Sequence, residues 1–318
     1  EEEIHIVFSS DNEDKRAVEQ AVESILRHTE SPVHIHYIGE EPLEYHPTVH
    51  FIDLNETIKK YNLSEFINPN NRTHLNYLNT NFPNFARLAL PAILPDVSKV
   101  MYFDADTTIL CDIAPLFHSI LNDGLAFKSP ALAAVPREGL KGFGNNPKID
   151  IPLSFNAGVL GLRLDLWREQ HLTEKIREIT LSNQHEMRYK LGSQPPLAIL
   201  FGDNFEHLPF SWNMPPKQNT LELAGRQERR LIWKETDKAP PEDEVCVVHW
   251  KGGIKPWRIK KTKGRPTLFR TFDVVDREEM RKETKERREA MHRQKHLQQQ
   301  NAIQSPSPRG EERRERQQ

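Results

Sequence analysis

The stretch Ile4-His5-Ile6-Val7-Phe8-Ser9-Ser10-Asp11-Asn12 passes from an apolar run into small polar residues. Such a run predicts a buried first strand that feeds a loop at its carboxyl end, where open parallel sheets bind their ligands. Val18, Ala21, Val22, Ile25 and Leu26 then recur at helical spacing, so an amphipathic helix follows, with Asp11 or Asn12 as its cap. Val33 to Ile38 predicts a second strand. A strand, a crossover helix and a strand in this order specify a parallel sheet, and the fold class is α/β.

Working outward, Asn55 to Pro83 turns to Asn, Thr and Tyr without a clean period and reads as a partly helical excursion. Phe85 to Leu94 predicts a helix stopped by Pro95, and Lys99 to Phe103 a strand that delivers Asp104, Ala105 and Asp106 at its end. A strand is expected near Phe155 to Leu160, helices near Leu172 to Leu181 and Pro195 to Phe201, and a strand at Val245 to Val248 that delivers His249. From residue 276 the chain becomes Arg, Lys, Glu and Gln with hardly an apolar residue. We therefore divide it into a main domain, 1–275, and a charged, helical or disordered tail, 276–318.

Composition narrows the function. Forty-four Lys and Arg against 46 Asp and Glu give a net charge of −2, so no global field draws the chain to nucleic acid or anionic lipid. The mean hydropathy of −0.70 reflects the polar tail diluting an ordinary core. Cys111 and Cys246 are too few for a disulfide framework or a thiolate zinc site; free thiols or one bridge both remain open. No run of about 18 apolar residues occurs. Sequons at Asn55, Asn62 and Asn71 cluster in the polar excursion, as a lumenal surface would carry them. With Glu1 in first place, we expect a processed or trimmed piece.

Asp104 and Asp106, one small residue apart, project to one side if strand geometry persists. Two carboxylates on one side repel unless a cation lies between them, and hard divalent ions are commonly shared with nucleotide phosphates. Alone, a helix cap or turn would also explain the pair. The segment His249-Trp250-Lys251-Gly252-Gly253-Ile254-Lys255-Pro256-Trp257 adds an imidazole for a borderline metal, glycines that let backbone N–H groups approach phosphate, and Lys255 as a point charge. As strand-end groups, the two carboxylates are expected to be exposed and to contribute little to the core.

Together, Tyr102-Phe103-Asp104-Ala105-Asp106, Phe155-Asn156-Ala157-Gly158-Val159 and His249-Trp250-Lys251-Gly252 to Lys255-Pro256-Trp257 resemble glycosyltransferase family 8 across nearly all of residues 4–260. Leu191-Gly192-Ser193-Gln194-Pro195-Pro196-Leu197 and Ser211-Trp212-Asn213 are most similar to its plant galacturonosyltransferase-like branch. The resemblance implies a GT-A nucleotide-sugar fold, with a mixed, largely parallel sheet flanked by helices. It implies Mn²⁺ (or Mg²⁺), a UDP-sugar donor, a glycan acceptor and transfer with retention; taken with the sequon cluster and Glu1, it leads us to expect the lumenal Golgi part of a type II membrane protein, touching the membrane only through an anchor upstream of this chain. By that resemblance Asp104, Asp106 and His249 bind the metal, Gly252 and Lys255 the diphosphate, and Asp11 the uracil or ribose. Arg87, Asn156, Ala157 and Gly158 lie at the donor, and Gln194 lies below the anomeric carbon.

The chain departs from the family pattern in places. Ser193 and Pro195 flank Gln194, where the bacterial enzymes carry acidic residues, and Ala134-Val135-Pro136-Arg137-Glu138 offers no match to the sugar-binding acid. Asn12 replaces a second aspartate, and no carboxylate nucleophile is identifiable. Competing readings are a glycogenin-like self-glucosylating initiator, for which Tyr61 and Tyr77 are the candidate acceptors, and a non-catalytic sugar-nucleotide-binding scaffold. The full metal set argues against the scaffold.

Overall fold

The computed structural model describes residues 3–46, 48–67, 82–121, 130–141, 150–186, 189, 192–215 and 245–250. The charged tail, Asn71 and Tyr77 lie outside them. In chain order the elements are β1 (Ile4–Ser9), α1 (Lys15–His28), β2 (Val33–Gly39), β3 (His50–Asp53), α2 (Leu54–Lys60), α3 (Phe82–Ala86) and α4 (Leu90–Ile93). They continue with β4 (Lys99–Asp104), β5 (Thr107–Ile109), α5 (Ala114–Ser119), β6 (Leu132–Lys141), β7 (Asp150–Arg163) and α6 (Leu164–Glu169). Last come α7 (Leu172–Glu186), α8 (Gln194–Phe201), β8 (Glu206–His207) and β9 (Val247–His249).

Seven strands form one sheet in the order β3-β2-β1-β4-β7-β6-β8. Its first four strands are mutually parallel, with Ile4 opposite Val33 and Ser9 opposite Asp104. β7 then runs antiparallel to β4 and to β6, and β8 lies parallel to β6. The expected mixed, largely parallel α/β sheet is therefore present. Its faces are sorted by the period-two alternation of strands: Ile4, Ile6 and Phe8 pack with α1 in one cluster, and Val7 packs with Leu54, Phe85 and Trp167 in the other.

α1 follows the predicted apolar stripe, with Val18, Ala21, Val22 and Ile25 fully buried. Its start differs from expectation. Asp14 is the residue preceding the helix, and Asp11 Oδ1 instead accepts the Asp14 N–H at 3.1 Å, closing the loop ahead of it. The predicted helix over 85–94 is broken into α3, a 3-10 turn at Arg87–Ala89 and α4. Pro91 has no N–H to give to the Arg87 carbonyl, and Ala89 leaves helical geometry at φ −106° and ψ 1°, so one helix does not run through. Arg168 holds the broken segment by donating to the carbonyls of Pro91, Leu94 and Val97.

β5 and β9 form a separate antiparallel pair, with Thr107 opposite His249. Cys111 and Cys246 are joined in a disulfide across 135 residues, which resolves the alternative left open by the sequence. No described helix is long and apolar enough to cross a membrane.

Candidate active site

β4 ends on Asp104, and the chain turns at once: Thr107 Oγ1 donates to the Asp104 carbonyl at 2.9 Å and β5 begins. Pairing with β9 then places His249 over this turn, and Trp250 N–H donates to the Asp106 carbonyl at 2.8 Å. Ligand atoms of Asp104, Asp106 and His249 consequently lie within 4.8 Å of one another. His249 Nε2 is 3.2 Å from Asp106 Oδ1 and 3.7 Å from Asp104 Oδ2. The two carboxylates meet the imidazole on one side as expected, through a turn rather than a continued strand. Trp250 is buried and donates to Thr108 Oγ1 at 2.9 Å, a packing role.

Arg87 occupies the 3-10 turn between α3 and α4, a local tightening that aims its side chain into the sheet end. It is 2% exposed, donates to Asp104 Oδ1 at 2.7 Å and to the Asn84 and Ala157 carbonyls, and stacks over Tyr102 at 4.4 Å. Burial works against its charge, but Asp104, Tyr102 and Asp106 outweigh that, holding the guanidinium above its ordinary range. This corrects the picture of free strand-end carboxylates. The Asp104 side chain is only 25% exposed, and it is the counter-charge of a buried cation.

Along β7, Phe155 pairs with Pro136 and Leu160 with Ala134, so four residues of β7 stand against Val135 alone. The excess is a wide bulge made of Asn156, Ala157, Gly158 and Val159, and bulged backbone groups need partners outside the ladder. Side chains supply them. Gln194 Oε1, at the start of α8, accepts from Ala157 N–H at 3.0 Å, and Asn156 Oδ1 accepts from Gly158 N–H at 3.0 Å. Asn213 Nδ2 reaches the Asn156 carbonyl at 3.4 Å, and Arg87 takes the Ala157 carbonyl. Gly158 also has a steric duty: a Cβ there would lie 2.1 Å from His249 Cε1.

The structure thus brings Asp104, Asp106, His249, Arg87, Asn156, Ala157, Gly158 and Gln194 into one connected group. Asp11 lies on the same edge of the sheet, just past Ser9, whose register partner is Asp104. Gly252 and Lys255 lie outside the described residues. Asn213 was missed as a site residue, although Ser211-Trp212-Asn213 carried part of the resemblance; it joins His249 Nδ1 at 3.0 Å. Asn84 was also missed: it accepts from Ser193 Oγ and, through its carbonyl, from Arg87.

Two carboxylates and one imidazole nitrogen, without a thiolate, form an oxygen-rich set with one borderline donor, which fits Mn²⁺ better than an all-oxygen preference for Mg²⁺.

A family model described as "Glycosyl transferase family 8" matches residues 5–261. Probable galacturonosyltransferase-like 9 of Arabidopsis thaliana is 28% identical over 295 residues, covering 86% of this chain and 72% of that protein. Among solved structures, an active-site mutant of LgtC superposes with a TM-score of 0.61 at 21% identity, covering 86% of this chain and 98% of that one. The galactosyltransferase LgtC in complex with donor and acceptor sugar analogs gives 0.59 at 20% identity, covering 84% and 94%. These structural likenesses carry the GT-A fold.

Proposed function

The chain belongs to glycosyltransferase family 8, and on that premise we propose that it moves a hexose or hexuronate from a UDP-sugar to a glycan hydroxyl, with retention and with Mn²⁺ as cofactor. The observation that carries this reading is the convergence of Asp104, Asp106 and His249 within 4.8 Å at the carboxyl end of β4. A bound divalent cation supplies Lewis-acid chemistry, neutralising charge on the departing diphosphate. The rest falls to the chain. Asp104, Asp106 and His249 would hold the cation, and Arg87 fixes the Asp104 carboxylate by occupying Oδ1 and leaving Oδ2 toward His249.

Asn156, Ala157 and Gly158 are assigned to the donor sugar and Asp11 to the uracil or ribose. Gln194 is assigned to the face below the anomeric carbon; with Oε1 engaged by Ala157 N–H, its remaining polar group is Nε2. Gly252 and Lys255 are assigned to the diphosphate. Charge on the β-phosphate grows as the glycosidic bond breaks, so Lys255→Ala should lower kcat more than it raises the donor KM. The self-glucosylating alternative loses support at Tyr61, whose hydroxyl donates to the Ala92 carbonyl at 3.1 Å.

The decisive test is incubation with Mn²⁺ and a panel of UDP-sugars, with UDP release followed with and without glycan acceptors. Release confined to one or two donors and abolished by a chelator is the expected result; none with any donor overturns the reading. We also assign the domain to the Golgi lumen of the secretory pathway, a placement supported by the disulfide and by the exposure of Asn55 and Asn62. A mass shift on glycan removal from natively produced protein tests it.

A further inference from the structure

Metal-ligating histidines are held by whatever their second ring nitrogen touches, and that contact decides which nitrogen carries the proton. Here the polarity of the contact can be traced from a group with no ambiguity. Gly158 N–H is a backbone donor, so the atom of Asn156 that it meets at 3.0 Å must be the side-chain oxygen. Asn213 approaches that same oxygen at 3.1 Å and must therefore present its NH₂ group. The other end of the Asn213 amide, Oδ1, then faces His249 Nδ1 at 3.0 Å and can only accept. Nδ1 is left as the donor.

Asn213 is itself fixed. It is 2% exposed, its N–H donates to the Phe210 carbonyl at 3.1 Å, and its own carbonyl accepts from Arg137 Nη2. Met214, beside it, pairs with β9 through Met214 N–H to the Val247 carbonyl and His249 N–H to the Met214 carbonyl, at 2.8 and 2.7 Å. The amide cannot turn over without placing two donors or two acceptors against each other, which would cost about 1–3 kcal/mol for each buried mismatch.

We propose that Asn213 is a positioning residue: it holds the proton on His249 Nδ1 and so presents the Nε2 lone pair to the space between Asp104 and Asp106. With Nδ1–H tied to Asn213, a cation there would meet the Nε2 lone pair without any reorientation of the ring. The same amide orients Asn156, so one residue couples the metal ligand to the donor-side bulge. The part concerning cation binding rests on the metal reading given above.

The test compares Asn213→Leu and Asn213→Asp with the native protein by calorimetric titration of Mn²⁺, with thermal unfolding in chelator as the check on folding. Asn213→Leu removes the acceptor for Nδ1–H and should weaken Mn²⁺ binding by about 10–100-fold. Asn213→Asp keeps that acceptor but loses the donor to Asn156, so its Mn²⁺ affinity should stay near native while UDP release slows. Equal Mn²⁺ affinity for the folded Leu variant and the native protein overturns the proposal. Nitrogen NMR of the native protein, with labelled histidine and His249 identified by its absence in His249→Ala, provides a measurement that needs no Asn213 variant to fold. Nδ1 should report a bound proton with and without Mg²⁺; an unprotonated Nδ1 overturns the assignment. If the native protein binds no Mn²⁺, the metal reading fails, while the NMR signal still decides the tautomer.

Discussion

Histidine side chains stand in two contrasting settings, and their neighbours make them opposites. Past the carboxyl end of β4, His249 stands between an amide and two carboxylates. On the first three strands, His5, His36 and His50 are linked to one another, His5 Nδ1 to His36 Nε2 and His36 Nδ1 to His50 Nδ1, each at 3.0 Å. His34 stacks on His5, and Glu3 lies 3.5 Å from His5 and 3.8 Å from His34. His36, using both nitrogens in this row, is pushed down to about 4 by burial and then by the charges of His5, His50 and His34. The same side chain is a candidate metal ligand where its neighbours are acceptors and is kept neutral where they are imidazoles.

The most severe way to break the contrast is to remove the carboxylates. Asp106→Ala should abolish UDP release, by ~10³-fold or more, while the protein stays folded. Full activity would remove the metal assignment. Asp104→Asn and Asp104→Ala should be equally inactive, and both should lose stability in urea unfolding, by about 3 kcal/mol for Ala and by less for Asn, which keeps an oxygen acceptor for buried Arg87 though not its counter-charge. Both variants unfolding at the native midpoint would show that Arg87 finds another partner.

Next in size is the covalent tie beside the β5–β9 pair, which brings His249 to the acidic turn. Cys246→Ser should lower stability by about 3–5 kcal/mol, as loop-closure entropy predicts for a bridge spanning 135 residues. Guanidinium denaturation under oxidising conditions measures it, and a change below about 1 kcal/mol would contradict it.

Two glycines of β7 sharpen the contrast between site and scaffold. A Cβ at Gly158 meets the His249 ring at 2.1 Å, whereas one at Gly161 meets Ile120 Cδ1 at 2.5 Å. Both Ala variants should lose about 1–3 kcal/mol by overpacking. Only Gly158→Ala should also weaken Mn²⁺ binding; equal affinities in the two would separate His249 from the bulge.

The smallest effect belongs to the histidine row. The folded state holds the pKa of His36 at about 4, below the ordinary 6.5, so the unfolded chain takes up a proton first as pH falls. This contribution is complete above pH 6.5 and disappears progressively toward pH 4. It amounts to about 1–2 kcal/mol once the neighbouring imidazoles share the added charge. Urea midpoints at pH 7.5 and 5 should differ less in His36→Gln than in the native protein, and equal differences would rule out His36 as the source.

Much of this was readable from residue order alone. The β1-α1-β2 unit and the strand ending at Asp104 follow from apolar periodicity, which burial enforces directly, whereas the grouping of Asp104, Asp106 and His249 is expected from the family resemblance, since an acidic pair alone also fits a cap or a turn. The remainder depends on contacts distant in sequence. β3 and β8 are too short to show a period, and the excess of β7 over β6 exists only once the two are paired. Arg87 reads as an ordinary helical cation until Pro91 forces the turn that buries it, and Asn213 reads as a loop residue until β9 lies beside it. Asp11 reads as a cap by propensity, yet the helix starts three residues further on.

The bridge has a topological meaning. Cys111 and Cys246 close a covalent ring, and Asn156, Ala157, Gly158, Gln194 and Asn213 all lie on its circumference. Asp106 and His249 sit just outside it, on the two arms that leave the ring side by side, five residues before one half-cystine and three after the other. Measured along covalent bonds through the sulfurs, the acidic turn and the imidazole are therefore near neighbours even in an unfolded chain. Oxidation turns a pairing between segments 135 residues apart into a local one, whose closure is entropically cheap. The proposed metal site of the oxidised chain can thus assemble as a short clasp, with the ring that carries the residues assigned to the donor folding down behind it.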